Sequence, residues 1–549
     1  MKTSLRAGLA GVGAAAAALG VAELVAVATG PTSAPLLAVG GVVVDHVPAG
    51  VKDFGIAVFG VHDKTALLTG TAVLLAAYAF GAGVVAARRW WAGVGLVAVF
   101  GIVGVISAVT RHDAGVVAAL PSLVAAVVAV VVLRGLLALA AGEPVAALRE
   151  RAAWGVGTGA RSSGAGRNSG VVSGESVPGG GAGSGVAVAD HDDAYPEEGR
   201  RRFLKGLGIV VGVSALGGVV GRLLTGRRAV SQARQEVVLP AARQNAPVVP
   251  AGVQVPGAVA YVTSNDDFYR IDTSLYPPQV DPSTWQLKIH GMVRNPITIG
   301  WDDLLKRPMI ERYVTLACVS NEVGDSLIGN ALWLGVPIKE LLDAADPLPE
   351  ADQVVQRSVD GWTCGSPTAV LRDGRDAMLA IGMNGKPLPV QHGFPVRMVV
   401  PGLYGYVSAC KWITEIELTR FADFDAYWVP RGWSAQGPIK TQSRIDTPRA
   451  GASKQAGPVT IAGVAWAQHK GIAKVEVQVD GEPWQVATLA DTVSSDTWRQ
   501  WSYGWNAAKG KHHVRVRATD TTGYTQTSTP APPAPDGATG WHGIDVTIE

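Results

Sequence analysis

Long apolar runs fill the first quarter of the chain and apolar–polar alternation fills the last. Runs of about 20 apolar residues, the length that crosses the hydrocarbon core of a bilayer, lie near 8–29, 65–86, 91–110 and 116–138. They predict four transmembrane helices within 1–145. Between the first two, 34–44 and 54–60 are apolar but too short to cross alone, and Asp45, His46, Pro48 and Asp53 interrupt them, so 31–60 reads as a re-entrant or surface hairpin. Lys and Arg collect on the cytoplasmic side of short loops. Lys2 and Arg6 precede the first helix, Arg88 and Arg89 follow the second, and Arg134, Arg149 and Arg151 follow the fourth, which together put the N-terminus inside.

Residues 146–199 contain stretches such as 179–185 (Gly-Gly-Gly-Ala-Gly-Ser-Gly) that cannot bury a core and predict a flexible cytoplasmic linker. It ends in Arg200-Arg201-Arg202-Phe203-Leu204-Lys205, followed by a glycine-rich apolar stretch to about 224. Paired arginines before Phe-Leu-Lys and an apolar run fit a twin-arginine export signal; a basic flank on a fifth helix, 200–228, is the plainer reading. No small-residue cleavage site follows, so the expectation is an uncleaved anchor with everything beyond it on the extracytoplasmic side. Arg222, Arg227 and Arg228 run against the charge rule there. Residues 229–254, with Pro240, Pro247 and Pro250, read as an extended tether.

From 255 the composition is that of a soluble protein. Over 431–549, Val475, Val477 and Val479 alternate, as do Val514, Val516 and Ala518, with Asp480-Gly481 as a turn signal, and this predicts an immunoglobulin-like sandwich. Its aromatic residues, including Trp498, Trp501 and Tyr503, read as sandwich core. The 47 Lys and Arg against 45 Asp and Glu give a net charge of +2, which provides no footprint for nucleic acid. The cysteines are three, Cys318, Cys364 and Cys410, without a CxxC pair, so neither a zinc site nor a disulfide framework is implied.

Cys318 stands in Thr315-Leu316-Ala317-Cys318-Val319-Ser320-Asn321, where a β-like run breaks into a polar, glycine-bearing loop. Four other blocks surround it: Asp267-Phe268-Tyr269-Arg270-Ile271-Asp272 with Trp285 to Gly291; Asn330 to Pro337; Met383-Asn384-Gly385-Lys386-Pro387-Leu388-Pro389; and His392-Gly393-Phe394-Pro395-Val396-Arg397, ending at Lys411-Trp412. In this order the blocks resemble the sulfite oxidase family of molybdopterin enzymes, over roughly 255 to 549. The resemblance implies an α+β molybdopterin domain at 255–430 and Mo-molybdopterin as cofactor. It makes Cys318 the thiolate ligand of molybdenum, and places Tyr269, Arg270, Asp272, Asp360, His392, Arg397 and Lys411 at the pterin and its phosphate. A soft thiolate suits such a metal, and a phosphate with many ring nitrogens calls for charged donors from distant segments. The sandwich at 431–549 resembles the family's dimerisation domain, which implies a homodimer.

The chain departs from sulfite-oxidising members after Cys318, where two arginines expected for an oxyanion are replaced by Glu322 and Val323. A tyrosine expected in a later block is replaced by Trp362. Glu322 opposes a small dianion, so the expected reaction is oxygen-atom transfer on a less charged small molecule such as a sulfoxide or N-oxide, with Trp362 and Glu322 shaping the pocket beside Cys318. A sulfite dehydrogenase of the same family is the alternative; a membrane-tethered binding protein without cofactor is a third reading. There is no CxxCH and no cysteine set for an iron–sulfur cluster, so electrons call for a separate redox partner, a quinone or cytochrome. His46, His62 and His112 fall in loops or at helix ends, which makes the four-helix region an anchor or docking site rather than a haem carrier.

Overall fold

A computed structural model describes residues 3–30, 33–46, 63–110, 115–141, 195–227 and 229–549. Most of the expected linker (through 194), part of the 31–60 segment, and Lys2, His62, His112, Arg149, Arg151 and Arg228 lie outside the described residues. The chain divides into two compact units, one reaching Thr225 and one running from Gly226 to the end.

The first unit is helical: α1 (Thr3–Thr29), α2 (Pro35–His46), α3 (Asp63–Arg88), α4 (Trp90–Val109), α5 (Leu120–Ala140) and α6 (Tyr195–Arg227). Five of its helices are long and apolar enough to cross a bilayer, namely Thr3–Thr29, Ala66–Arg88, Trp90–Val109, Val116–Ala140 and Arg201–Val219. With 12 residues, α2 spans about 18 Å at 1.5 Å per residue, short of the roughly 30 Å required. Small residues let the backbones meet. A Cβ on Gly11 would overlap the Ala79 carbonyl, and one on Gly83 the Ala7 carbonyl, so larger residues there would push α1 and α3 apart. Phe203, directly after the paired arginines, is fully buried against Ala10, Ala14 and Leu136, so it has a packing role whether or not it is also read as a signal.

The second unit opens with α7 (Ala229–Glu236). This corrects the expectation of a wholly extended tether, and the reason is packing. Val230 is buried in a cluster with Phe268 and Trp333, and Arg234 donates through Nε to the Leu388 carbonyl (2.7 Å) and through Nη2 to that of Pro387 (2.8 Å). Further along, Gln244 forms a parallel bridge with Ile310.

Two sheets build the next region. Strands β1 (Gln286–Gly291), β2 (Ile297–Gly300), β5 (Gln353–Ser358), β6 (Thr363–Pro367) and β10 (Ile413–Thr419) lie in the order β2-β1-β10-β5-β6, with β1 and β10 parallel. Strands β3 (Ile310–Ala317), β4 (Ile328–Pro337), β7 (Met378–Met383) and β8 (Lys386–Pro387) form the second sheet in that order, with β9 (Arg397–Val399) antiparallel to β7. Because strand side chains alternate between faces, Val314 and Leu316 of β3 enter the cluster of Phe268 and Trp333, whereas Ala317 enters the larger core around Trp285, Leu287 and Ile416. With apolar residues on both faces, the sheet end that carries Cys318 is embedded rather than hung on a surface.

The C-terminal region is a sandwich of two sheets. One runs β11 (Gln442–Thr447), β13 (Gly457–Trp466), β17 (Arg499–Ala507), β16 (Thr488–Leu489); the other runs β12 (Ser453–Lys454), β19 (His542–Ile548), β18 (Gly510–Asp520), β14 (Ile472–Val479), β15 (Gln485–Val486). Val477 faces Val516 across β14 and β18, and Val475, Val514 and Ala518 are buried beside them, as the alternation predicts. Asp480 and Gly481 both take positive φ (51° and 80°), the turn geometry their residue types favour. Trp466 and Trp498 leave this sandwich's own core and join the one around Trp285 and Ala317, so the two regions share apolar interior.

Candidate active site

Cys318 begins the loop that joins β3 to β4. Its amide donates to the Leu327 carbonyl (2.9 Å) and its carbonyl accepts from the Asn321 amide (3.1 Å), while Asn321 Oδ1 accepts from the Leu327 amide (2.7 Å). The loop is therefore closed on itself with the cysteine at its base. Cys318 is 8% exposed. Burial pushes its pKa up, opposed by hydrogen bonds from the backbone and side chain of Ser320, while the Asp325 carboxylate raises it further. Ser320 donors aimed at the sulfur favour the thiolate, the form a metal takes.

A cationic cluster is linked to this loop through Tyr269. Lys411 Nζ donates to Asp272 Oδ2 (2.7 Å) and to the Gln391 carbonyl (3.3 Å), and Arg270 Nε donates to the same Asp272 oxygen (2.9 Å). Arg397 is 5% exposed; its Nη1 donates to the His392 carbonyl (3.1 Å) and its guanidinium carbon lies 5.0 Å from the Trp333 ring centre. His392 Nε2 meets the Asn265 carbonyl at 3.0 Å, and its ring packs edge-on to Phe268. Tyr269 stacks on Phe268. Burial raises the Tyr269 phenol well above its ordinary value, with Cys318 adding to the rise and Arg397 opposing it, which ties the cluster to the cysteine loop.

The electrostatics show a surplus of positive charge. Burial, then Arg397 and Lys411, lower His392 to about 4, so the ring is neutral near pH 7. Burial lowers Lys411 to about 8 against the pull of Asp272, and lowers Arg397 to about 10. Arg270 and Lys411 share one carboxylate, Asp272, and Arg397 has no carboxylate partner among the described residues. Among the described residues, the side chains of Arg397 and His392 bond only to backbone carbonyls. Buried cations with so little counter-charge are costly unless an anion completes them. A phosphate-bearing pterin has that charge, so the donor set fits the cofactor that the sequence blocks imply.

The structure thus brings Tyr269, Arg270, Asp272, His392, Arg397 and Lys411 together, with Cys318 beside Tyr269. Asp360 lies in the β5–β6 turn, where its Oδ1 accepts from the Trp362 amide (3.2 Å) and its charge acts on Cys410. Trp362 is half-buried against the large core. Glu322 is exposed, and its carboxylate bonds to no described residue, so it does not join the cluster. Cys364 and Cys410 are fully buried, and burial plus the neighbouring Cys364 thiol push Cys410 up. The sequence reading passed over Ser320 and Asp325, although both lie in the Cys318 loop, and over Tyr404. Burial and Cys318 push the Tyr404 phenol up to about 12, against a hydrogen bond from the Lys440 amide.

Comparison with known proteins points to the same cofactor. The profile described as "Oxidoreductase molybdopterin binding domain" matches residues 274–428, and that described as "Bacterial Ig domain" matches 442–516. The chain is similar to human mitochondrial sulfite oxidase, 28% identical over 321 residues that cover 50% of this chain and 58% of that protein. It thus spans a little over half the length of that relative. It is 31% identical over 172 residues to the uncharacterized oxidoreductase YuiH of Bacillus subtilis, covering 31% of this chain and 82% of the relative. It is 32% identical over 208 residues to the protein-methionine-sulfoxide reductase catalytic subunit MsrP of Ralstonia nicotianae, covering 34% of this chain and 59% of that subunit. The blocks, the cationic cluster and these relatives agree: the chain belongs to the sulfite oxidase family of molybdopterin-dependent oxidoreductases, with Mo-molybdopterin as its cofactor.

Proposed function

We propose that the protein is a membrane-anchored oxidoreductase that uses Cys318 as the molybdenum ligand and acts on the extracytoplasmic side on a sulfoxide, an N-oxide or a related substrate of low charge. The observation that carries the substrate class is the charge around the cysteine. Residues 319–327 hold no cation, and the charge that acts on the thiol is that of the Asp325 carboxylate. A small dianion such as sulfite needs concentrated donors, and the cations here are gathered on the Asp272 side. The MsrP relative, by its name a reductase of methionine sulfoxide in proteins, supports the same class.

The bound cofactor supplies two-electron oxygen-atom transfer. In the reductive direction a sulfoxide with two electrons and two protons gives a sulfide and water, with electrons from a separate quinol or cytochrome partner. The chain's own residues do the holding. Lys411, Arg270 and Arg397 would hold the anionic end of the cofactor, neutral His392 would add a ring donor or acceptor, and Asp360 would pair with the pterin amino groups. Ser320 holds the Cys318 sulfur, and Tyr269, Tyr404 and Trp362 limit water. The five apolar helices support the anchor, and Arg200-Arg201 before the last of them supports export of a folded, loaded domain.

The sulfite oxidase relative favours the second reading, sulfite dehydrogenation. Full-length protein from a molybdopterin-making host, assayed with sulfite plus an electron acceptor and with sulfoxides and N-oxides plus a reduced viologen, separates the two. The expected result is faster turnover of the sulfoxide or N-oxide; faster sulfite turnover refutes the substrate class. Alkaline phosphatase fused after residue 230 reports sidedness, and an inactive fusion refutes the extracytoplasmic placement.

A further inference from the structure

We infer that the C-terminal sandwich is a working part of the active site, which sets the position of Cys318 by gripping the chain on both sides of it, with Arg444 as the positioning residue. The inference rests on Cys318 being the metal ligand.

Upstream, β3 is the edge strand of its sheet, and an edge leaves a row of unpaired backbone groups. Three residues before Cys318, Thr315 turns its free edge to the sandwich. Its amide donates to the Asp496 carbonyl (2.9 Å), its carbonyl accepts from Gln468 Nε2 (3.0 Å), and its Oγ1 accepts from the Trp498 amide (2.8 Å). Thr315 is fully buried, as are Gln468 and Trp498 to within 2%. Downstream, Arg444 of β11 donates through Nη1 to the Asp325 carbonyl (2.7 Å) and through Nε to Asp446 Oδ1 (2.7 Å). Arg444 and Asp446 side chains are 9% and 8% exposed, so this ion pair is shielded from water.

The loop also packs directly on β19. Gly324 has φ of +89°, and a Cβ there would overlap the His542 ring. His542 is fixed in turn, because its Nδ1 accepts from the Ile445 amide (2.9 Å) next to Arg444. Gly324 is therefore required twice, for its backbone conformation and for this approach. Within the loop, bonds from Cys318 to Leu327 and from Asn321 to both pass any displacement of residues 324–325 back to the cysteine. A site held to a fraction of an ångström needs such support around its ligand.

Full-length protein in detergent provides the test, in metal-free and loaded forms. Arg444→Lys keeps the charge beside Asp446 but not the planar fork, and Gly324→Ala displaces the loop without touching the ion pair. Val514→Ala, a core change in the sandwich remote from the loop, is the control for general loosening. In metal-free protein, alkylation of Cys318, quantified by peptide mass spectrometry, is expected to quicken several-fold in both loop variants and to stay unchanged in Val514→Ala. In loaded protein the Mo(V) resonance is expected to shift in the loop variants alone. Equal alkylation in parent and loop variants, or an equal rise in Val514→Ala, overturns the clamp. The metal-free measurement distinguishes this failure from failure of the proposed function, because it needs no molybdenum: faster labelling in protein that takes up no metal supports the clamp and refutes the function.

Discussion

Acidification should loosen the sandwich at the strand that grips the Cys318 loop, through His542. This ring accepts a hydrogen bond at Nδ1 from the Ile445 amide, which an imidazolium cannot do. Burial, followed by Arg444, lowers His542 from 6.5 to about 4, with Asp446 opposing. The unfolded or locally opened chain therefore binds the proton more tightly than the folded one. Stability from this group is fully present above pH 6.5, is lost as pH falls from 6.5 towards 4, and is constant below that. At 1.36 kcal/mol per unit, a shift of about 2.5 units corresponds to roughly 3 kcal/mol, or about 300-fold in an opening equilibrium. Hydrogen exchange of the 442–447 peptide, corrected for the intrinsic pH dependence of exchange, measures it. Protection at Ile445 should fall by up to that factor between pH 6.5 and 4. In His542→Gln, whose Oε1 can still accept, the pH-dependent part should vanish. Flat protection in the parent, or the same fall in His542→Gln, would refute the reasoning.

Other outcomes follow from the geometry. Cys318→Ser should leave pterin content near that of the parent, since the cationic cluster is untouched, while turnover falls by at least about 1000-fold, roughly 4 kcal/mol; unchanged turnover would exclude Cys318 as the ligand. Arg397→Met should lower pterin content measured after release, because the buried guanidinium that completes the anion site is gone, and full occupancy would count against that role. Asp325→Asn should improve sulfite relative to sulfoxide by about fivefold, near 1 kcal/mol of electrostatic relief. Glu322→Gln, exposed and unbonded, should leave the ratio alone, and the opposite pattern would restore Glu322 to the pocket. Trp501 Nε1 is buried without a partner among the described residues, whereas Trp333 Nε1 donates to the Val314 carbonyl at 3.1 Å and its ring faces Arg397. Trp333→Phe should therefore cost about 2 kcal/mol more of unfolding free energy than Trp501→Phe, read in denaturant titrations, and equal losses would show that this hydrogen bond and ring contact contribute little.

The sequence made legible what is carried by local spacing. Apolar runs of membrane length placed the helices to within a few residues, as with 116–138 against Val116–Ala140. Alternation placed Val475, Val477, Val514 and Val516 in one sandwich core, because a period-two pattern survives whatever the strand pairs with. Arg397, His392 and Lys411 sit in compact blocks, which is why the sequence singles them out, and they fall into one cluster in the fold. The residues that hold the cysteine loop from outside were not, since nothing local marks them. Arg444 is 119 residues from Asp325, and its role appears only when β11 is laid against the loop. Glu322 shows the opposite error. Being next but three to Cys318 suggested proximity in space, yet the chain turns at Gly324 and the charge that reaches the thiol is that of Asp325.

The stretch after the last apolar helix has a practical consequence for anyone preparing a soluble form of this enzyme. Composition alone suggests a cut near 255, where ordinary soluble sequence begins. Such a cut would remove α7, uncover the pocket that Val230 fills, strip Arg234 from the carbonyls of Pro387 and Leu388, and expose the edge of β3 that Gln244 covers. Those carbonyls close the hairpin just before His392. A fragment that starts at 229 keeps the brace, so the segment that follows the last apolar helix belongs with the catalytic region.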